Sequence, residues 1–181
     1  MFSKPVGPCE IWWKGSKVGD SYGDIILAFT VSVFESKLAK TGETARGKYI
    51  TGEEIKVTGE FGEVELSTLA SICGGTVSEG ATTDEVVINS QVGKNLLDDA
   101  GELILKPIIE QVTSTTASDW IYIPKATLVP NLSVAHGIAT DKQWGFEFQG
   151  HPVVAADLAT GGCLADKSYT AGDLIKFGDA D

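Results

Sequence analysis

Along Asp24–Ser36, the residues Leu27, Phe29, Val31 and Val33 alternate with Ala28, Thr30, Ser32 and Phe34. A period of two marks a β-strand, whose successive side chains point to opposite faces. One face here is apolar and the other mostly small and polar. The same period returns over Glu54–Phe61, with Ile55, Val57 and Phe61 on one side and Glu54, Lys56, Thr58 and Glu60 on the other. Two such segments in succession predict a long hairpin. Elsewhere Gly and other turn formers recur about every ten positions, and the stretches between them alternate or are β-branched, which predicts a mainly β domain. Further strands are expected at Glu85–Ser90, Glu102–Gln111, Trp120–Leu128, Leu132–Ile138 and Gln143–Gln149, with Pro107, Pro124 and Pro130 marking edges or bulges.

One segment breaks the pattern. Glu63–Gly75 has acids in its first turn and Gly where a left-handed cap belongs, so it predicts a helix. Leu66, Leu69, Ala70 and Cys73 fall at helical spacing and form its core face, with Cys73 expected as a core thiol. The expected fold is a two-sheet β-sandwich or barrel-like domain over residues 1–181 with one flanking α-helix. An N-terminal arm (1–23), an extended loop (37–52) and a C-terminal arm (161–181), the last with a short strand at Leu174–Phe177, complete it.

Charge narrows the function. A hydrophobic content of 43% and a mean hydropathy of +0.06 accompany a net charge of -11, so an acidic chain carries much apolar surface that self-association would cover. The pI near 4.6 argues against a protein that grips nucleic acid, because that affinity comes from clustered Lys and Arg. An acidic surface repels DNA, which suits a conduit and equally suits plain solubility. Lys37–Gly52 is the exception: Lys37, Lys40, Arg46 and Lys48 against Glu43 make it +3, while the rest of the chain is -14. The segment Met1-Phe2-Ser3-Lys4-Pro5 has no apolar signal region, and no run reaches the roughly 18 apolar residues of a membrane span, so the expectation is a protein made in the cytoplasm and soluble there.

Catalytic material is sparse. His136, in an expected strand, and His151, in a His-Pro turn, are the only histidines and read as satisfied surface or core residues. Cys9, Cys73 and Cys163 lie at wide spacing without a metal-ligand pattern and read as buried reduced thiols, with a disulfide between subunits left open. Asp98-Asp99 and Glu53-Glu54 are adjacent pairs, which cannot act as facing acid and base on a strand and read as solvated turn charges. No phosphate-loop, dinucleotide or nucleophile-elbow motif occurs. The expectation is a non-enzymatic protein with no catalytic residue, cofactor or metal site.

The layout resembles the tail tube proteins of long-tailed bacteriophages and their relatives in contractile injection systems. The residues that carry the likeness are Gly7-Pro8-Cys9-Glu10-Ile11-Trp12-Trp13-Lys14-Gly15 with Gly19 and Gly23, then Thr51-Gly52-Glu53-Glu54-Ile55-Lys56-Val57 and the Leu66–Gly75 helix. Ile123-Pro124-Lys125-Ala126 and Trp144-Gly145-Phe146-Glu147-Phe148-Gln149-Gly150 complete it. The resemblance implies hexameric rings whose inner sheets join around a lumen and which stack into a virion tail tube, a conduit for phage DNA in transit. Implied partners are further copies of the chain, the tail terminator, tape measure and baseplate or tip proteins, and a sheath where the tail has one; no membrane is involved. On that footing Thr30, Ser32, Glu54, Lys56, Thr58 and Glu60 are the candidate lumen face, with Lys56 paired to Glu54 or Glu60. Lys37, Lys40, Glu43, Arg46 and Lys48 are the candidate ring-stacking residues. Two other readings of the same sequence stand beside this one. A carbohydrate-binding or virion-decoration β-sandwich, suggested by Trp12, Trp13, Trp120 and Trp144, predicts a cluster of exposed aromatics. A small hydrolase predicts a concave pocket with converging carboxylates.

Overall fold

Cys9–Trp13 (β1) and Ser16–Asp20 (β2) form a hairpin around Lys14 and Gly15, whose positive φ values of 52° and 77° make the tight turn that matches strand twist. A computed structural model of the chain describes residues 8–37, 45–62, 66–79, 84–129, 134–135, 143–160, 162–165 and 167–178. The remaining strands are β3 (Ile26–Lys37), β4 (Ala45–Phe61), β5 (Thr76–Glu79), β6 (Asp84–Val87), β7 (Gly101–Ile109), β8 (Val112–Thr113), β9 (Ile121–Val129), β10 (Val134–Ala135), β11 (Gln143–His151) and β12 (Lys176–Phe177). Two short helices, α1 (Leu66–Cys73) and α2 (Ala155–Leu158), accompany them, so the protein is mainly β.

The large sheet is antiparallel and runs β2-β1-β7-β9-β11-β4-β3. Its two ends meet. Ser21 bridges Phe61, the Tyr22 amide donates to the Glu60 carbonyl at 2.6 Å, and the Gly62 amide donates to the Asp20 carbonyl at 3.3 Å. β2 and β3 are therefore two halves of one bent lane, the first paired with β1 and the second with β4, and the sheet closes into a barrel. Alternate residues fill it: Ile11, Trp13, Ile55, Val57, Leu103, Leu105, Ile123, Phe146 and Phe148 are all buried in one cluster. Gly150 permits the close approach of β11, because a Cβ there would stand 3.0 Å from both Ile55 and Ile123 side chains. Pro124 sits fully buried in a central strand, where its missing N–H falls at the register shift between β7 and β9.

The expected hairpin is present and longer than its sequence period suggested. β4 begins at Ala45, so most of the expected 37–52 loop is strand, paired residue by residue with β3. Gly47 and Gly52 mask the alternation there, and the register shifts at Ser32/Val33 and Ser36/Lys37 break it again. The N-terminal arm is corrected likewise: β1 and β2 are barrel strands, and Cys9, Ile11 and Trp13 point inward. The C-terminal arm folds back onto the body. Leu164 and Tyr169 join Val153 in a second buried cluster, and β12 pairs with β9 through Tyr122 and Ile121. These segments are short and rich in Gly, so their burial is a tertiary effect that periodicity does not register.

Helix α1 buries Leu69, Ala70 and Cys73 as expected and packs with the β5–β6 hairpin, a small second sheet. Gly74, at φ 63°, ends it, and the Gly75 amide donates to the Ala70 carbonyl at 2.7 Å. The Leu66 side chain, Glu63–Glu65, Pro130, His136 and all of the expected Leu132–Ile138 strand except Val134–Ala135 lie outside the described residues. Cys163 is exposed, contrary to expectation, while Cys9 and Cys73 are buried.

Candidate assembly surface

Register places the six candidate lumen residues on one face. Thr30 pairs with Glu54, Ser32 with Gly52, Ala28 with Lys56 and Ile26 with Thr58, and Glu60 follows two positions on. This is the outer face of the barrel wall, opposite Ile55 and Val57. It continues across β11, where Glu147 pairs with Thr58 and Gln149 with Lys56, and on to β9, where Thr127 pairs with Gln149 and Lys125 with His151. The Lys56 ammonium contacts Glu147 at 2.8 Å, which corrects the expected pairing with Glu54 or Glu60. Gln149 instead reaches Glu54, at 3.5 Å. Glu147 and Gln149 were available in the alternation Trp144, Phe146, Phe148 against Gly145, Glu147, Gln149, yet only the β4–β11 register shows that they extend the face.

At the far side of this face, the Lys125 ammonium donates to both oxygens of Asp157, at 2.8 and 2.9 Å, and so ties α2 to β9. Burial works against ionisation of Asp157, but the Lys125 ammonium and the Val154 amide outweigh it and hold the carboxyl below its usual range. Thr127 Oγ1 lies 2.9 Å from His151 Nε2. Burial and then the Lys125 charge lower the His151 pKa, so the ring is neutral near pH 7. Cys163 Sγ lies 3.8 Å from Asp157, and burial followed by that negative charge pushes the thiol up, the opposite of what activates a nucleophile.

Beyond the barrel, β3 and β4 continue as a two-stranded ribbon. Its first face carries Phe29, Val31, Val33 and Ile50, all exposed and in line with the core residues Ile55 and Val57, together with the exposed Glu53 opposite Val31. Its other face carries Thr30 and Ser32 and, near the tip, Phe34 opposite Tyr49. Among the described residues, β3 pairs only with β4, and the Ala45–Glu54 part of β4 pairs only with β3, so both edges of the ribbon are open. Of the candidate stacking residues, Lys48 pairs with Glu35 at 2.7 Å. Lys37 and Arg46 occupy the strand ends at the tip, and Lys40 and Glu43 lie outside the described residues. Glu53 and Glu54 are strand residues rather than turn charges.

The opposite wall of the barrel holds the aromatics. Lys106 Nζ sits 3.8 Å from the centre of the Trp12 ring and 4.2 Å from that of Trp120, while the two indole N–H groups donate to Glu10 and to the Ser114 carbonyl. Trp13 is buried, so these rings do not present the exposed cluster on which a sugar would stack. The cleft of about 420 Å³ beside Glu102 contains Lys14, Lys167 and Cys163. Its buried Glu102 is already committed, accepting from the Tyr169 hydroxyl at 2.6 Å and from Lys167 at 3.0 Å. Asp99, nearby, is paired with Lys94 and Lys14. No group of three or more His, Cys, Asp or Glu among the described residues could hold a metal ion. No described helix is long and apolar enough to cross a membrane.

No protein-family model matches the chain, and no curated protein matches it. Geometry and charge therefore carry the functional assignment.

Proposed function

We propose that the chain is a structural subunit that polymerises into the tube of a bacteriophage tail, with the Thr30, Ser32, Glu54, Lys56, Thr58 and Glu60 face lining the lumen. The observation that carries this reading is the open ribbon. Ile26–Phe34 has neither a charge nor a proline, two of the devices by which soluble proteins blunt an exposed edge strand. An edge of that kind is stable when a neighbour pairs with it. Because the ribbon has one free edge on β3 and another on β4, head-to-tail pairing between copies would join the ribbons into a continuous sheet, and a rotation that closes makes a ring. The polar outer face of β4 and β11 then extends around that ring. Pairing of Lys56 with Glu147 removes its attraction for phosphate, leaving Glu54 and Glu60 to repel passing DNA.

Further copies are thus the principal partner, and the tail terminator, tape measure and tip proteins are those that a tube subunit would meet at its ends and lumen. Negative-stain electron microscopy of the purified protein at low and high salt tests the proposal. Hollow tubes or stacked rings of uniform diameter are the expected result, and monodisperse monomers at both salt concentrations would count decisively against it.

A further inference from the structure

We propose that the apolar face of the ribbon docks on the α1–β5–β6 lobe of a second copy; this contact rests on the tube reading and adds its receiving surface. Edge-to-edge pairing satisfies the ribbon's backbone but leaves Phe29, Val31, Val33 and Ile50 uncovered, at 37 to 65% exposure. Something with its own apolar surface must cover them, because a contiguous exposed patch of this kind marks an interaction site.

Charge selects the occupant. The ribbon tip carries Lys37, Arg46 and Lys48 against Glu35. The chain from Val57 to Gly93 contains no Lys or Arg, while Glu60, Glu63, Glu65, Glu79, Asp84 and Glu85 all lie within it. In the β5–β6 hairpin, register sets Glu79 opposite Asp84 and Ser78 opposite Glu85. This stretch of sequence has no cation of its own. A basic ribbon tip from another copy supplies one.

The apolar surfaces match as well. Val87, Ile88 and Val92 follow directly from the acidic hairpin and are exposed, Val92 at 97%. The lobe therefore offers exposed aliphatic side chains beside acidic residues, and the ribbon offers exposed apolar side chains beside a tip whose net charge is positive. Opposed charge fixes partner and register, and the aliphatic contact supplies the buried area.

Cysteine cross-linking between copies tests the contact. Full-length Val33→Cys and Ile88→Cys proteins, each also carrying Cys163→Ser and one bearing a size tag, are mixed at low salt, oxidised and run on a non-reducing gel. A mixed covalent dimer is expected, diminished at high salt and lost when Val112→Cys, in β8, replaces Ile88→Cys. Tubes or rings visible by microscopy without that dimer overturn the docking surface and leave the tube reading standing. Val33→Cys cross-linking to itself in equal yield shows ribbon against ribbon and overturns the lobe as receiver. If no mixture associates, both proposals fall. Glu85→Lys provides a second measure in the otherwise native chain: tubes should dissolve at lower salt, and an unchanged salt dependence would overturn the contact.

Discussion

Glu102 is a buried acid whose two oxygens are taken by different parts of the C-terminal segment, Tyr169 and Lys167. Burial first, and then the Glu102 bond, raise the Tyr169 pKa, so the hydroxyl remains a donor throughout the accessible range. Tyr169→Phe removes one charge-assisted bond and should cost about 1.5 to 3 kcal/mol, measurable by urea denaturation. His151 sets the pH response. Its folded pKa lies below the 6.5 of an unperturbed imidazole, so the unfolded chain takes up the proton more readily. The stability contributed by the neutral ring is complete above pH 6.5 and is lost as pH falls from there toward the lower folded value. The carboxyls of Asp99, Asp157 and Asp173 act in a different window, since their pKa values are lowered from 3.8 and their contributions fade only below it. Melting temperatures at pH 7.5 and 5.5 should therefore fall for the native protein, and by less for His151→Gln.

Among the elements, the ribbon combines the most informative sequence with the largest correction. Alternation from Leu27 to Val33 and from Ile55 to Phe61 identifies both strands, and in β4 the face turned to the core, whereas Phe29, Val31 and Val33 of the apolar β3 face are exposed. It does not reveal that Ala45–Gly52 is also strand, because glycines and register shifts interrupt the pattern while cross-strand hydrogen bonding continues. β1 was read as part of an N-terminal arm, because its burial depends on β7, whose partner residues lie far along the chain. The basic tip yields a prediction at this scale. Replacing Lys37, Lys40, Arg46 and Lys48 by Glu should leave circular dichroism and monomer elution unchanged while abolishing stacking in the microscope, since it reverses the charge of the tip. Polymerisation equal to that of the parent would remove the tip from the stacking contact.

For the whole molecule, stability resides in the closed barrel rather than in any one strand. Phe148 is fully buried at its centre, packing edge-on against Trp13 at 5.8 Å and close to Phe146. Phe148→Ala should cost about 3 to 5 kcal/mol, seen as a lower denaturation midpoint by near-UV and far-UV signals together. The residues alone determined the β class, the inward positions of the main strands, the core stripe of α1 and the opposition between a basic tip and an acidic body, because each is a local periodicity or a sum of charges. Only the tertiary structure decided that the Asp20–Ile26 bend closes the sheet, that Lys56 meets Glu147, that the supposed arms are packed, and that Cys163 is exposed. Those outcomes depend on pairing between residues distant in sequence, and a period of two states which way a side chain points without stating which strand lies beside it.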